Sequence, residues 1–136
     1  MEKKNNLSWL NVMESLNEFM KLSLPTKTSW NISKNMKKLE GWYKTFSDCE
    51  MKLVNELAVK GEDGKIKYDD ENQPKFAPKN REEFIKRRNE LLNCEDEIDF
   101  LKINLSDLEK VNVKASTLFN LDFMITDDTE EKETVK

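Results

Sequence analysis

The chain has 136 residues, of which 37% are hydrophobic and 37% charged, with a net charge of −4 and a pI near 5.1. That length supports one domain with an ordinary core, and three Gly and three Pro are too few for a loop-rich or all-β fold. No His is present, which removes the commonest general base and metal ligand, and the two Cys, Cys49 and Cys94, are too far apart in sequence to make a zinc half-site.

Residues 1–6 are polar and are expected to fray. From Leu7, steps of three and four through Trp9, Val12 or Met13, Leu16, and Phe19 or Met20 put apolar side chains on one helical face. Pro25 should end this helix. Thr28 or Ser29 can cap the next one, which carries the strongest pattern in the chain. Ile32, Met36, Leu39, Tyr43, Phe46, Glu50, Leu53 and Leu57 follow alternating steps of four and three, a heptad seam apolar at seven of eight positions. It predicts a helix over about 29–60. Gly41 lies in its middle and reads as a tolerated exposed glycine.

Gly61 is expected to stop that helix, and Glu62-Asp63-Gly64 to turn the chain. Lys65 to Tyr68 alternates like a short strand, with Lys75 to Ala77 as a returning arm. Such a ribbon is marginal alone and should pair with something further along. Asn80 and Glu83 read as a capping box for a helix over about 81–94, with Phe84, Ile85, Leu91 and Leu92 inward. Ile98, Phe100, Ile103 and Leu105 suggest a strand with a bulge. Ser106 and Glu109 form a second capping box, Val111 to Val113 a candidate strand, and Lys114 to Leu121 a short helix. Leu121, Phe123, Met124 and Ile125 should close the core. The fold class is therefore α+β and helix-dominated, a long central helix with two shorter helices and a small hairpin or sheet. It forms a single domain over 1–125, followed by an acidic tail at 126–136 expected to be disordered.

Several of these segments together resemble a family of small proteins encoded by phages and prophages of low-GC Gram-positive bacteria. The resemblance rests on Leu24-Pro25-Thr26-Lys27-Thr28-Ser29-Trp30-Asn31-Ile32-Ser33 leading into the long helix, the Gly61 to Lys65 turn, Arg81 to Phe84, and Leu121 to Ile125. It covers about residues 15–125, and its motifs are turns and helix ends. It implies a phage-encoded accessory protein and brings no active site with it.

Residues that could carry chemistry are each read against a plainer alternative. Asp63, Asp69, Asp70, Glu71 and Asn72 lack EF-hand spacing and read as a solvated turn. Cys49 and Cys94 have no His to activate them and read as buried, free, structural thiols in a reducing compartment. Glu50 interrupts the seam, and a buried carboxylate needs a cation; Arg87 or Arg88 would serve. Neither phosphate-loop nor nucleophile-elbow motifs occur. The polar opening Met1-Glu2-Lys3-Lys4 lacks secretory-signal features, so a cytoplasmic setting in a bacterial host cell is expected.

Charge is graded along the chain: +3 over residues 1–60, 0 over 61–93 and −7 over 94–136. Two stretches are candidate partner-binding surfaces. One is the stripe Lys34, Lys37, Lys38 and Lys44 on the long helix, near Trp30 and Trp42. The other is the acidic set Glu95, Glu97 and Asp99, beside Asp96. The expected function is non-enzymatic, with no cofactor and no membrane. The chain would bind a host or phage protein and act as an inhibitor of host defence in the manner of an anti-CRISPR protein. A host nucleic-acid-binding machine is a candidate partner, since carboxylates can occupy phosphate sites. The alternatives are a nucleic-acid-binding regulator using the Lys stripe and a phage assembly or structural accessory protein.

Overall fold

The computed structural model describes residues 1–129. In chain order these form β1 (Glu2–Asn5), α1 (Asn6–Met20), α2 (Thr26–Leu57), α3 (Pro78–Asn93), β2 (Glu95–Ile98), β3 (Ile103–Asn104), a 3₁₀ turn (Leu105–Leu108), α4 (Ala115–Leu121), a second 3₁₀ turn (Asp122–Met124) and β4 (Ile125–Thr126). The fold is α+β and helix-dominated, as the periodicities predict. Among the described residues no helix is long and apolar enough to cross a membrane. The described residues divide into two compact units, one of Met1–Trp42 with those from Glu95 onward, the other Tyr43–Cys94. α2 contributes to both.

In the first unit, Asn5 caps α1 by accepting the Ser8 amide at 2.9 Å. Trp9, Val12, Leu16 and Phe19 then line the buried face, the set that the spacing selects. Ile32, Met36 and Leu39 of α2 complete that core with Ile98, Phe100, Ile103, Leu108, Leu121 and Met124. Trp9, Phe100 and Phe123 form an aromatic cluster with centroids 5.3–5.9 Å apart. The residues expected to fray form β1 instead. It pairs antiparallel with β2, setting Lys3 opposite Glu97 and Lys4 opposite Asp96. Opposite charges facing across a ladder favour this pairing.

The seam shifts at one position. Trp42 is buried at 7% exposure, whereas Tyr43 is 41% exposed. A straight α-helix drifts from a strict heptad, and the Trp42 indole N–H finds a buried acceptor in Asn6 Oδ1 at 2.9 Å. α2 also starts earlier than its hydroxyls suggest. Pro25 carbonyl accepts the Ser29 amide at 3.0 Å, and Thr28, expected as a cap, is buried within the helix and donates to Asp107 at 2.7 Å.

That bond belongs to a polar ladder. Thr28, Asn31, Asn35 and Lys38 recur at steps of three, four and three along α2 and bond successively to Asp107, Lys102 carbonyl, Leu101 and Asp99 carbonyl. Asn35 is fully buried and holds Leu101 twice, donating to its carbonyl at 2.9 Å and accepting its amide at 2.8 Å. The 99–102 segment lies in no strand, so its backbone groups have no ladder partners; side chains of α2 bond the carbonyls of Asp99, Leu101 and Lys102 and the Leu101 amide. The single bulged strand expected from Ile98 to Leu105 is accordingly two short strands, β2 and β3, with this segment between them.

β3 pairs in parallel with β4, Ile103 with Ile125 and Asn104 with Thr126. Asp128 accepts hydrogen bonds from the Ser106 amide, at 2.9 Å, and from its hydroxyl. The start of the acidic tail, residues 126–129, is thereby joined to the first 3₁₀ turn; the rest of the tail lies outside the described residues. Ser106 is held by Asp128 and does not cap that turn, whose cap position is Asn104. Val111 to Val113 forms no strand, while α4 matches its expected span to within a residue.

The second unit combines the C-terminal part of α2 with α3 and the segment between them. α2 ends at Leu57, four residues before the glycine expected to stop it. Gly61 does not take positive φ; Gly64, at φ 77°, does. The Lys67 and Lys75 arms bond to each other as a hairpin, but the third participant precedes them. Val59 N–H donates to Lys75 carbonyl at 2.8 Å, Lys75 N–H to Lys67 carbonyl at 3.0 Å, and Lys67 N–H to Val59 carbonyl at 2.9 Å. The three segments close a ring of hydrogen bonds, and Phe76 of the returning arm stacks on Phe84 of α3 with centroids 4.5 Å apart. α3 begins at Pro78, suited to a first helical position. Asn80, expected as its cap, instead donates to Leu57 carbonyl at 3.2 Å. Ile85, expected inward, is 49% exposed, and α3 has no fully buried residue. Asp63 and Asp69 fold back onto backbone amides at 2.9–3.0 Å, as Asx turns do.

Candidate interaction surfaces

The outward ridge of α2 is built by the same periodicity as its seam. Lys27, Trp30, Lys34, Lys37 and Gly41 follow steps of three, four, three and four, and all are exposed. Trp30 is 61% exposed, an unusual state for so large an apolar ring. Lys34 holds its ammonium 5.3 Å from the Trp30 ring centroid, a cation–π contact worth about 0.5–1 kcal/mol at an exposed site. A Cβ added at Gly41 would meet nothing within 4 Å, so the ridge is open there.

The four lysines expected to act together are all exposed on α2 but differ in their contacts. Lys38 bonds to the Asp99 carbonyl and is part of the polar ladder. Lys44 lies in the second unit. Lys34 and Lys37 lie on the Trp30 ridge together with Lys27, which is outside the expected stripe. A 3-4 count backward from Lys34 through the exposed Trp30 would have found it. Trp42, expected as a second aromatic of this stripe, is in the core.

The acidic set is placed differently again. Glu95 and Glu97 alternate with buried Ile98 along β2, so they face outward with their cross-strand partners Asn5 and Lys3. The Lys3 ammonium offsets part of their charge. Asp96 lies on the other face; its side chain accepts the Glu97 amide at 2.8 Å and its carbonyl accepts the Trp9 indole N–H at 3.1 Å. Asp99 follows the strand and is exposed.

No protein-family model, curated protein sequence or solved structure matches this chain.

In the second unit, Glu50 finds its cation. Arg88 Nε donates to its carboxylate at 2.9 Å, one of the two pairings expected. Both side chains are about a third exposed, at 31% and 40%, so the bridge relieves a local cost and adds at most about 1 kcal/mol. Arg87 pairs instead with Glu56 at 3.0 Å. The Arg87 hydrogen bond, reinforced by its charge, holds the Glu56 carboxyl below the ordinary carboxylate range, and the same bond raises the Arg87 guanidinium. Cys49 and Cys94 are both free, as expected, but both are exposed. The second unit has few apolar residues to bury them under: only Phe46, Leu53 and Val54 are buried there.

Proposed function

We propose that the protein acts by non-catalytic binding of another protein, and that the contact is the Trp30 ridge of α2. The observation that carries this reading is Trp30 itself, 61% exposed among Lys27, Lys34 and Lys37. Trp, with Tyr and Arg, is enriched among the few interface positions that dominate affinity, where truncation costs about 2 kcal/mol or more, roughly a thirtyfold weakening. The flanking ammonium groups speed encounter with an acidic surface and select against a basic one. The acidic set is the weaker candidate because Lys3 stands opposite Glu97. The resemblance to phage-encoded proteins supports a host or phage protein as the partner. Inhibition of a host defence system is the specific role proposed, with phage assembly as its alternative.

The test is capture from host lysate by immobilised protein, compared across variants. A partner retained by wild type and by Glu95→Lys/Glu97→Lys, but lost on Trp30→Ala, supports the ridge. Retention by Trp30→Ala together with loss on the Glu95/Glu97 reversal transfers the contact to β2.

A second reading uses the same ridge for nucleic acid, since an exposed aromatic between lysines can stack a base while the cations meet phosphate. Binding of single-stranded oligonucleotide that weakens steeply with salt would select it. The acidic pI near 5.1 favours the protein partner.

A further inference from the structure

The first unit also contains a cavity of about 350 Å³, lined by residues of β1, α1, α4 and the second 3₁₀ turn. Phe119 stands at this cavity with 82% of its surface exposed, the most exposed aromatic among the described residues. It makes no ring contact there, whereas Phe123, which also lines the cavity, packs on Trp9 and Phe100. Glu2 and Asp122 bring two carboxylates to the lining, and Lys4 one ammonium.

Lys4 shows what this environment holds. Its ammonium lies 4.8 Å from the Phe123 ring centroid and 3.6 Å from Glu2. An aromatic face and a carboxylate together are the surroundings that a desolvating cation needs. With Lys4 in place the lining still carries one negative charge in excess, and the Phe119 ring is still uncovered. A lining with net negative charge beside an open aromatic face is complementary to a cation.

We propose that the cavity receives the guanidinium of an arginine side chain presented by a protein partner. A guanidinium is planar and weakly hydrated, so it stacks on an exposed ring and can direct its N–H groups to a carboxylate in the same plane; a lysine ammonium is a compact, strongly hydrated point charge that does neither as well. Phe119 supplies the stacking face and Asp122 the counter-charge. Lys4 acts as a resident competitor for the remaining aromatic surface. The inference rests on the reading that this protein binds another protein, but not on the α2 ridge being the contact.

The test is titration of the ¹⁵N-labelled full chain with N-acetyl-arginine-N-methylamide, followed by amide chemical shifts. The expected result is saturable movement of amides at 119–123 and in β1, absent with the neutral citrulline analogue and weaker with the lysine analogue. Phe119→Ala and Asp122→Asn should each weaken binding about two- to fivefold, the range for one exposed cation–π or charge contact. Lys4→Gln should strengthen it by a similar factor, a gain that structural damage would not produce. The proposal is overturned if citrulline binds as well as arginine, if lysine binds more tightly, if shifts gather elsewhere, or if Phe119→Ala and Lys4→Gln both leave the affinity unchanged. Because the probe is a single amino-acid derivative, its failure leaves partner capture through Trp30 untouched.

Discussion

Asn35→Ala is the sharpest test of how the first unit holds the 99–102 segment. The wild-type side chain is fully buried and clasps both backbone groups of Leu101, at 2.9 and 2.8 Å. A net hydrogen bond contributes about 1 kcal/mol, and leaving a partner unsatisfied costs about 1–3 kcal/mol per group. Leu101 itself is 37% exposed, so water can satisfy part of what is lost. The expected cost is therefore about 2–3 kcal/mol, and a chain of this length loses roughly 3–5 °C of Tm per kcal/mol. Thermal melting by circular dichroism should show a fall of about 6–15 °C, and hydrogen exchange should show the Leu101 amide losing protection.

Asn35→Asp extends the test. It keeps the acceptor for the Leu101 amide but turns a second acceptor toward the Leu101 carbonyl, and burial would raise the new carboxyl's pKa. An acid whose folded pKa is raised destabilises only above its unfolded value. The deficit against wild type should thus be smallest below about pH 4 and grow as pH rises toward the folded pKa. A Tm within 2 °C of wild type for Asn35→Ala, or an Asn35→Asp deficit independent of pH, would refute the clasp.

Leu39→Ala, at a fully buried position in the first unit, should cost about 2–5 kcal/mol in denaturant melts. Removing the chain after Ile125 deletes the Thr126 pairing and the Asp128 bonds to Ser106; it should cost about 1–3 kcal/mol, and Asp128→Ala should reproduce much of the loss. The depressed pKa of Glu56 means that its pairing with Arg87 stabilises fully above the ordinary carboxylate value and fades as pH falls through the folded pKa. Glu56→Gln should flatten that part of the acid stability profile, and an unchanged profile would contradict it.

The helices are legible in the sequence because their signal is local. Trp9 to Phe19 and Ile32 to Leu53 repeat at helical spacing, and burial follows the repeat. Glu50 was legible for an energetic reason, since a carboxylate in an apolar seam demands a cation. β1 was not legible. Glu2 to Asn5 has no apolar alternation, and what makes it a strand is a register with β2 set more than ninety residues later. The polar ladder repeats at helical spacing too, yet its acceptors are mostly carbonyls, which leave no mark on side-chain pattern. The capping boxes misled because Ser106 and Asn80 bond to partners more than twenty residues away, Asp128 and Leu57 carbonyl, and Asn80 lies inside α3, which starts at Pro78. Of the candidate site, Lys34 and Lys37 were visible as a stripe. The diversion of Lys38 to Asp99 and the burial of Trp42 depend on tertiary neighbours.

The central claim is that Trp30 and its neighbouring lysines recognise a partner protein. Its most direct test is the affinity of a captured and purified partner, measured by calorimetry for wild type, Trp30→Ala and Lys34→Glu/Lys37→Glu at two salt concentrations. Trp30→Ala should weaken binding about thirtyfold or more and lower Tm by no more than about 5 °C, since the ring is 61% exposed and the Lys34 contact it loses is small. The lysine reversal should weaken it most at low salt. A partner that binds all three proteins equally would contradict the account.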